Sequence, residues 1–319
     1  MGQDVERLKK VVLRKLQEFN LIRSNTNITL TPNYRFILRG KSYFHYIITC
    51  NNLSMKFFLK VDKGNDNAIH CNSFLEPFRD PDNEYIFPVI LVPPFEFEAV
   101  KYYITTFFEG LNLDIVSKTL EKKDWIKIST ELNEQLTLLS TIHSQLYSEN
   151  NIFLESGCAD ILKEKLNKRL SHPAFSIYQQ KHIYNAYNRC CEILEESDFS
   201  RPTLLHMDVK PANIIYNNAT GAVQLVDFEL ARFGDRDFGW TQILLTKCNS
   251  FCQEYKSFMY PLLVEGHIKL KEAVDIAKYR CYIFYQTACN IIYYFDRNKE
   301  CPIEMKKYFI EMLNKLSRE

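Results

Sequence analysis

The residues best suited to chemistry lie in two short segments in the second half of the chain. The segment 204–216 contains Asp208 and Asn213, and the segment 223–229 is an apolar run interrupted by Asp227. A carboxylate and a carboxamide five residues apart, with another carboxylate after a hairpin, offer the hard oxygen ligands that Mg²⁺ prefers and leave one Asp to accept a proton. This set is suited to phosphoryl transfer, in which positioning and charge neutralisation supply most of the catalysis.

The order of these polar residues resembles that of a known superfamily. The pattern is His-x-Asp-x-x-x-x-Asn followed by a further Asp, at His206, Asp208, Asn213 and Asp227. It resembles the catalytic and metal-binding loops of the protein-kinase-like superfamily. No Ala-Pro-Glu segment follows; Gly234-Asp235 and a long helical stretch follow instead. This combination is similar to the aminoglycoside phosphotransferase and choline kinase family of small-molecule kinases.

The resemblance implies a role for each residue of the motif. Asp208 is expected to be the catalytic base, and Asn213 and Asp227 are expected to hold Mg²⁺. Lys210 either meets the transferring phosphate or is a loop lysine in solvent. Glu229, where the superfamily has Gly, is either a second carboxylate on the metal side or a hydrogen-bond partner of the loop.

Two further residues of the motif region are expected to be structural. His206 is expected to hold the catalytic loop by hydrogen bonds. Asp235 is expected to be a structural anchor, since Arg236 stands where the family has Pro.

The first hundred residues can be tested against this resemblance through one lysine. Lys60 lies inside the apolar run Phe57–Val61, and a charged group there is costly unless it is paired. By resemblance Lys60 would hold the α- and β-phosphates of the nucleotide. Glu76 is the expected carboxylate partner, with Glu84 as the alternative.

The remaining nucleotide contacts are predicted from position. The connection 39–42 joins the first two strands, so Ser42 and nearby backbone N–H groups could contact phosphate, or the segment is an ordinary hairpin turn. The segment 106–110 is the predicted hinge, where backbone groups near Phe107 and Phe108 would bind the purine edge. The sequence does not distinguish ATP from GTP.

The pattern along the chain predicts an α+β, protein-kinase-like bilobal fold. The N-terminal lobe is predicted to be a five-stranded antiparallel sheet with one helix, 65–78, after the third strand. The predicted strands are 33–38, 43–50, 55–61, 85–92 and 100–107, with a turn at Pro93-Pro94 between the last two. A helix is also expected over 4–19.

The rest of the chain is predicted to be mostly helical. The helical blocks are 124–147, 158–197 with a break at His172-Pro173, 241–263, 270–295 and 302–317, with short strands over 204–229. The predicted domains are therefore 1–107, which binds nucleotide, and 108–319, which is catalytic and binds the acceptor. The insertion at about 150–200 is expected to contribute to acceptor choice.

Composition excludes several classes of protein. Of 319 residues, 46% are apolar and 25% charged, and the net charge of +1 offers no field for nucleic acid or an anionic membrane. No apolar run approaches the length of a membrane span. The ten cysteines contain no Cys-x-x-Cys pair and most lie in apolar runs, which favours free thiols in a reducing cytoplasm.

The acceptor is expected to be a hydroxyl group of a small metabolite or antibiotic. Residues 230–319 contain 14 Lys and Arg against 11 Asp and Glu, and residues 150–200 contain 6 against 7. Neither segment is strongly acidic, which weighs against a polycationic aminoglycoside. Two alternatives stay open, namely a protein Ser/Thr kinase-like enzyme and a catalytically idle kinase-like binding module.

Overall fold

The fold is that of a computed structural model, which describes residues 2–38, 41–51, 53–62, 67–78, 84–143, 159–197, 202–239, 241, 245 and 276–318. The chain divides into two compact units. The first unit comprises Met1–Gly110 together with Gln224–Leu230, and the second comprises Leu111–Val223 and Ala231–Glu319. The segment 224–230, which carries Asp227, thus belongs with the first unit although it follows residues 206–213 of the second unit in sequence.

The first unit is built on a five-stranded antiparallel sheet, as predicted. The strands are β1 (Ile28–Leu38), β2 (Lys41–Cys50), β3 (Lys56–Val61), β4 (Ile90–Phe97) and β5 (Val100–Thr106), in the order β1-β2-β3-β5-β4. Residues alternate between faces in β3, where Phe57, Leu59 and Val61 are buried. They join a core that also includes Ile48 of β2 and Ile104 of β5.

The fourth strand corrects the sequence prediction. A strand was expected over 85–92 with a turn at Pro93-Pro94, but β4 runs through both prolines and ends at Phe97. The prolines fall where the register with β5 shifts between Val92 and Phe95, at the edge of the sheet. Proline is tolerated at an edge or bulge because no ladder hydrogen bond needs its missing N–H. The turn is Glu98-Ala99, where both residues have positive φ, as a two-residue hairpin of type I′ requires.

Two helices accompany the sheet. The amphipathic helix α1 (Gly2–Glu18) buries Leu8, Val12 and Leu16 in the core of the sheet. Helix α2 (Asn67–Leu75) follows β3 and ends three residues before the predicted end at 78. The first strand is longer than predicted because Ile28 and Leu30 are also buried in that core.

The second unit is mostly helical. Its helices are α3 (Leu113–Val116), α4 (Lys122–Thr141), α5 (Ala159–Leu170), α6 (Gln180–Glu196), α7 (Ile276–Asp296) and α8 (Ile303–Arg318). A break at His172-Pro173 separates α5 from α6, as predicted, and is followed by the 3-10 turn Pro173–Phe175. Helices α5, α6, α7 and α8 enclose one core, in which the Phe309 ring stacks on the rings of Phe175 and Phe284.

Short strands frame the loop 206–213 of the second unit. Strand β6 (Leu111–Asn112) pairs with β8 (Ile214–Tyr216), and β7 (Thr203–Leu205) pairs with β10 (Arg232–Gly234). A further strand, β9 (Val223–Leu225), leads into the segment that carries Asp227. Strand β10 was not predicted, because a three-residue strand carries too few residues to show a periodic pattern.

Some predictions fall outside the described residues. These are the loop Arg39-Gly40, nearly all of the predicted helix 241–263, residues 144–147 and 270–275 of two other predicted helices, and residues 150–158 of the insertion. In the part of the chain that the structure describes, no helix is long and apolar enough to cross a membrane. The described cysteines are free thiols, as predicted: Cys50, Cys71, Cys190, Cys191, Cys281, Cys289 and Cys301.

Candidate active site

Asp208 lies at the centre of a hydrogen-bonded loop between β7 and β8. The Asn213 carboxamide donates through Nδ2 to the Asp208 main-chain oxygen at 2.9 Å and to its Oδ2 at 2.8 Å. The Lys210 ammonium donates to the same Oδ2 at 2.7 Å. The structure therefore brings together three predicted site residues of the second unit, with the Asp208 carboxylate fixed through one of its two oxygens.

The backbone before Asp208 is held in an uncommon conformation. Met207 has a φ of +64°, in the left-handed region, which costs a side chain of this kind about 1–2 kcal/mol. His206 is buried at 2% exposure, and its Nδ1 accepts the Asp208 backbone N–H at 3.2 Å. This bond fixes the turn that carries Asp208, which is the structural role expected for His206.

The first unit contributes a lysine with two carboxylates. The Lys60 Nζ lies 3.0 Å from Asp227 Oδ1 and 3.4 Å from Glu229 Oε1. The side chain of Lys60 is 12% exposed, whereas that of Asp227 is 38% exposed. We call Lys60, Asp227 and Glu229 the accessible triad. Of the two interpretations of Glu229, this position favours a carboxylate that acts together with Asp227.

The segment 224–230 is fixed in the first unit by contacts on both sides of Asp227. The Gln224 side chain donates through Nε2 to the main-chain oxygens of Tyr85 and Ile86, at 3.2 and 3.1 Å. Phe228 is buried, and its ring meets that of Phe87 edge to face at 5.7 Å. Asp227 lies between these anchors with a φ of +70°, a conformation that Asp tolerates better than most residues.

The other predicted nucleotide residues are less fully defined. Glu76 follows the last residue of α2 and is exposed, so its assignment as the partner of Lys60 stays a prediction. Ser42 pairs with Ile37 in the β1–β2 ladder, and its side chain lies outside the described residues. Phe107 and Phe108 follow β5 and are half-buried, and their contact with the purine edge stays a prediction.

The donor set suits a hard cation. Among the described residues, no group of three or more His, Cys, Asp or Glu side chains could by itself hold a metal ion. The Nδ2 of Asn213 is engaged by Asp208, which orients Oδ1 as its remaining acceptor atom. The Asn213 carboxamide oxygen in the second unit and the Asp227 carboxylate in the first unit are each of the hard-oxygen type that Mg²⁺ takes as a ligand.

A second lysine with two carboxylates lies in the second unit and was missed by the sequence analysis. The Lys278 Nζ of α7 lies 3.0 Å from Asp235 Oδ2 and 3.5 Å from Asp237 Oδ2. Burial acts to lower the pKa of Lys278, but the two carboxylates outweigh it and raise that pKa. We call these three residues the buried triad. The available signal was a lysine in the otherwise apolar start of a helix, 276–279.

Asp235 is the structural anchor that was predicted. Its side chain is 1% exposed, and Oδ1 accepts the Asp237 backbone N–H at 2.7 Å while Oδ2 accepts from Lys278. The carboxylate therefore closes the turn after β10 and ties it to α7.

Comparisons with known proteins find similar folds but no match in sequence. No protein-family model and no curated protein matches this chain. Among solved structures, aminoglycoside phosphotransferase APH(4)-Ia is 13% identical with a TM-score of 0.63, over 100% of this chain and 99% of that chain. A thermostable mutant of it, in ternary complex with AMP-PNP and hygromycin B, is 14% identical with a TM-score of 0.61, over 97% of both chains.

A further solved structure is also similar in fold to this chain. The GDP and kanamycin complex of APH(2")-IIia is 11% identical with a TM-score of 0.55, over 97% of both chains. Because the similarity extends over nearly the full length of each chain, it covers the sheet unit and the helical unit alike. The resemblance noted in the motif is thus matched by the structure, and the chain has the kinase-like fold of the aminoglycoside phosphotransferases.

Proposed function

We propose that this protein is a small-molecule kinase that transfers the γ-phosphoryl group of ATP or GTP to a hydroxyl group of a small acceptor. The observation that carries the proposal is the Asp208 carboxylate, which is held through Oδ2 by Asn213 and Lys210. This arrangement leaves Oδ1 to accept a proton in a fixed direction. The fold supports the same conclusion, since its structural neighbours are phosphotransferases whose complexes contain nucleotides.

Asp208 is proposed to act on the acceptor hydroxyl. As the acceptor oxygen forms its bond to the γ-phosphorus, the bond from phosphorus to the β,γ-bridging oxygen breaks, and the hydroxyl proton passes to Asp208. The products are a phosphate ester, the nucleoside diphosphate and protonated Asp208. Lys210, half-buried beside Asp208, is placed to offset the negative charge of the phosphoryl group in transit.

The accessible triad is proposed to hold the nucleotide phosphates. Lys60 would exchange part of its contact with Asp227 and Glu229 for the α- and β-phosphates. Asp227 and Asn213 would hold Mg²⁺, which when bound neutralises phosphate charge. Glu229 would keep the Lys60 ammonium in position while Asp227 binds the metal. Phe107, Phe108, Ser42 and Glu76 keep their predicted roles at the nucleotide, and a cytoplasmic location stays a prediction from the free cysteines.

Nucleotide binding tests the proposal directly. Thermal unfolding would be followed with ATP and with GTP, each in the presence of Mg²⁺ and then of excess EDTA. One nucleotide should raise Tm by several degrees only when Mg²⁺ is present, because the ligand stabilises the folded state in proportion to ln(1 + [L]/Kd). The shift should be lost in Asp227→Ala and kept in Asp160→Ala, a matched control whose side chain is 92% exposed.

Three results would contradict this proposal. If neither nucleotide changes Tm, at concentrations up to about 5 mM with Mg²⁺, the kinase proposal is wrong and the fold serves as an idle binding module. If Asp227→Ala keeps the full shift, nucleotide is bound without the accessible triad. Incorporation of phosphate into a general protein substrate, with none into small hydroxyl compounds, would instead favour a protein kinase.

A further inference from the structure

A buried histidine of β2 completes the hydrogen bonding of β3 next to Lys60. The β2–β3 ladder ends where Tyr46 lies opposite Leu59, two residues before β3 itself ends at Val61. The Val61 backbone N–H donates to Nδ1 of His45 at 3.1 Å, so the imidazole takes the place of a ladder carbonyl. His45 is 5% exposed. A side chain thus provides the β2 contact for the part of β3 that carries Lys60.

The other edge of the same segment is held by an ordinary ladder. Lys60 lies opposite Tyr103 of β5, and Val61 lies opposite Tyr102. Val61 is fully buried, and an N–H group there costs free energy unless it has an acceptor, because no water replaces a lost one. The backbone beside Lys60 is therefore fixed by β5 on one side and by the His45 side chain on the other.

The His45 ring lies on the same face of the sheet as the Lys60 side chain. Its centroid is 5.8 Å from that of the Phe58 ring. Phe58 and Lys60 alternate with the buried Leu59 on β3, so both point away from the core of the sheet. On the β5 side, the Tyr103 ring centroid lies 5.9 Å from Lys60 Nζ. The Lys60 side chain thus leaves the sheet between an aromatic ring of β5 and the imidazole of β2.

The position of the Lys60 ammonium depends on the backbone from which the side chain extends. Its Nζ is 3.0 Å from Asp227 Oδ1 and 3.4 Å from Glu229 Oε1. Hydrogen bonds weaken steeply with distance and misalignment, and a shift of about 1 Å in a positioned group is enough to lose much of its effect. A residue that fixes β3 at Val61 therefore controls where Lys60 presents its charge, although it touches neither carboxylate.

From this geometry we propose that His45 is a positioning residue of the nucleotide site. Nδ1 of His45 fixes the backbone of β3 at Val61 and thereby holds the Lys60 ammonium where it binds the α- and β-phosphates. The inference rests on the proposed function for the identity of the ligand, whereas the link from His45 to Lys60 is independent of it. Because Nδ1 accepts the N–H, the imidazole is in the form that carries its proton on Nε2.

Two substitutions separate the acceptor atom from the volume of the ring. His45→Asn keeps an acceptor, Oδ1, close to the position of Nδ1, whereas His45→Leu fills a similar volume without one. In calorimetric titration with Mg²⁺-nucleotide, His45→Leu should raise Kd about five- to tenfold, and His45→Asn should stay within about twofold of the wild type. The matched control is Ile48→Val, a core substitution on the same strand, which should lower Tm and leave Kd unchanged.

A double-mutant cycle tests whether His45 acts through Lys60. His45→Leu would be combined with Lys60→Met, which leaves no ammonium to position. In that background His45→Leu should change Kd by less than about twofold, because both substitutions remove the same interaction. An equal rise of Kd in the two backgrounds would mean that His45 acts independently of Lys60, and would overturn the proposal.

Other results would also overturn it. A wild-type Kd in His45→Leu would leave His45 with a structural role alone, like that of Ile48. A Kd in His45→Asn as high as that in His45→Leu would show that the acceptor atom is not what matters. If His45→Leu does not fold, His45→Gln replaces it, because its amide oxygen lies one bond farther from the backbone. Its Kd should then exceed that of His45→Asn, and equal values would contradict the proposal.

Failure of this inference is distinguishable from failure of the proposed function. Nucleotide binding by the wild type, with Kd unchanged in His45→Leu, would leave the kinase standing and remove His45 from its site. If the wild type binds neither nucleotide, the kinase fails, and competitive acetylation read by mass spectrometry decides the inference. Relative to the exposed Lys299, Lys60 should react severalfold faster in His45→Leu, where its ion pairs are loosened, but not in His45→Asn. Equal rates in the three proteins would overturn it.

Discussion

The two units each contain a lysine that bridges two carboxylates two residues apart, but the two triads differ in contact with water. In the accessible triad the Asp227 side chain is 38% exposed, and in the buried triad that of Asp235 is 1% exposed. The nearest lysine–carboxylate distance is 3.0 Å in both. The two triads therefore have similar charges at the same distance but differ in how far their first carboxylate is exposed to water.

The difference in burial decides what each triad can do. Asp227 keeps enough water that its contact with Lys60 is worth little to folding, and it can exchange that contact for a ligand. Asp235 and Lys278 lost their water on folding, so removal of either leaves an uncompensated charge in the interior. The accessible triad is therefore expected to control activity, and the buried triad to control stability.

The largest effects are expected from the carboxylates assigned to chemistry. Asp208→Ala and Asp227→Ala should each lower turnover by about 10²–10⁴-fold, because one removes the proton acceptor and the other a metal ligand. Both should unfold in urea within about 2 kcal/mol of the wild type, since the side chains of Asp227 and Asp208 keep part of their contact with water, at 38% and 26% exposure. Steady-state kinetics on the identified acceptor, with urea titration of the same preparations, checks both parts. Full activity in both variants would show that the assignment of these two carboxylates to chemistry is wrong.

Removal of the buried lysine should have the opposite profile. Lys278→Met keeps the length of the side chain but leaves Asp235 without its cation, and should lower the free energy of unfolding by about 3–5 kcal/mol. Urea denaturation measures this, and Lys278→Met/Asp235→Asn should recover part of the loss. The matched control is Lys299→Met, an exposed lysine beyond the end of α7. A loss below about 1 kcal/mol would show that the buried triad is not structural.

Lys60→Met is the equivalent change in the accessible triad. It should raise the Kd for Mg²⁺-nucleotide by about 10–100-fold, because charge-assisted bonds to phosphate contribute about 1.5–3 kcal/mol each. Stability should change little, since Asp227 is left partly hydrated. Calorimetric titration with the nucleotide gives the Kd. Unchanged nucleotide affinity together with a large loss of stability would reverse the roles of the two triads.

The sequence predicted those features that depend on the residue types within one short segment. His, Asp and Asn in one short segment predicted a polar loop, and the structure brings Asp208 and Asn213 into hydrogen-bond contact. The catalytic role of this loop stays a prediction. The sheet was predicted because β-branched and aromatic runs alternate with polar turns. It was placed wrongly at β4, because proline signals a turn in sequence while an edge strand with a bulge accepts it.

The parts that were missed depend on long-range packing. Lys278 is 43 residues from Asp235, and nothing in either local segment identifies the other as its partner. The contact of Lys60 with Glu229 has the same origin, since 169 residues separate the two in sequence.

The smallest effects are expected from substitution of the second carboxylate of each triad, Glu229 or Asp237. Glu229 lies 3.4 Å from Lys60 and Asp237 lies 3.5 Å from Lys278, so the two contacts are nearly equal in length. Glu229→Gln should raise the KM for nucleotide about three- to tenfold, because an amide orients Lys60 less strongly than a carboxylate. Its free energy of unfolding should fall by no more than about 1 kcal/mol, because Lys60 keeps its contact with the partly hydrated Asp227.

Asp237→Asn should do the reverse, because Lys278 and Asp235 beside it are 6% and 1% exposed, whereas Asp227 beside Glu229 is 38% exposed. It should lower the free energy of unfolding by about 1–2 kcal/mol and leave the KM for nucleotide unchanged. Paired urea titrations and nucleotide saturation curves on both variants give the four values. Equal effects of the two substitutions on KM would mean that burial does not divide the triads by role. If Glu229→Gln changes mainly KM and Asp237→Asn changes mainly stability, the two triads have different roles. Asp227, which would bind the ligand, and Asp235, which stabilises the fold, are only 8 residues apart in sequence.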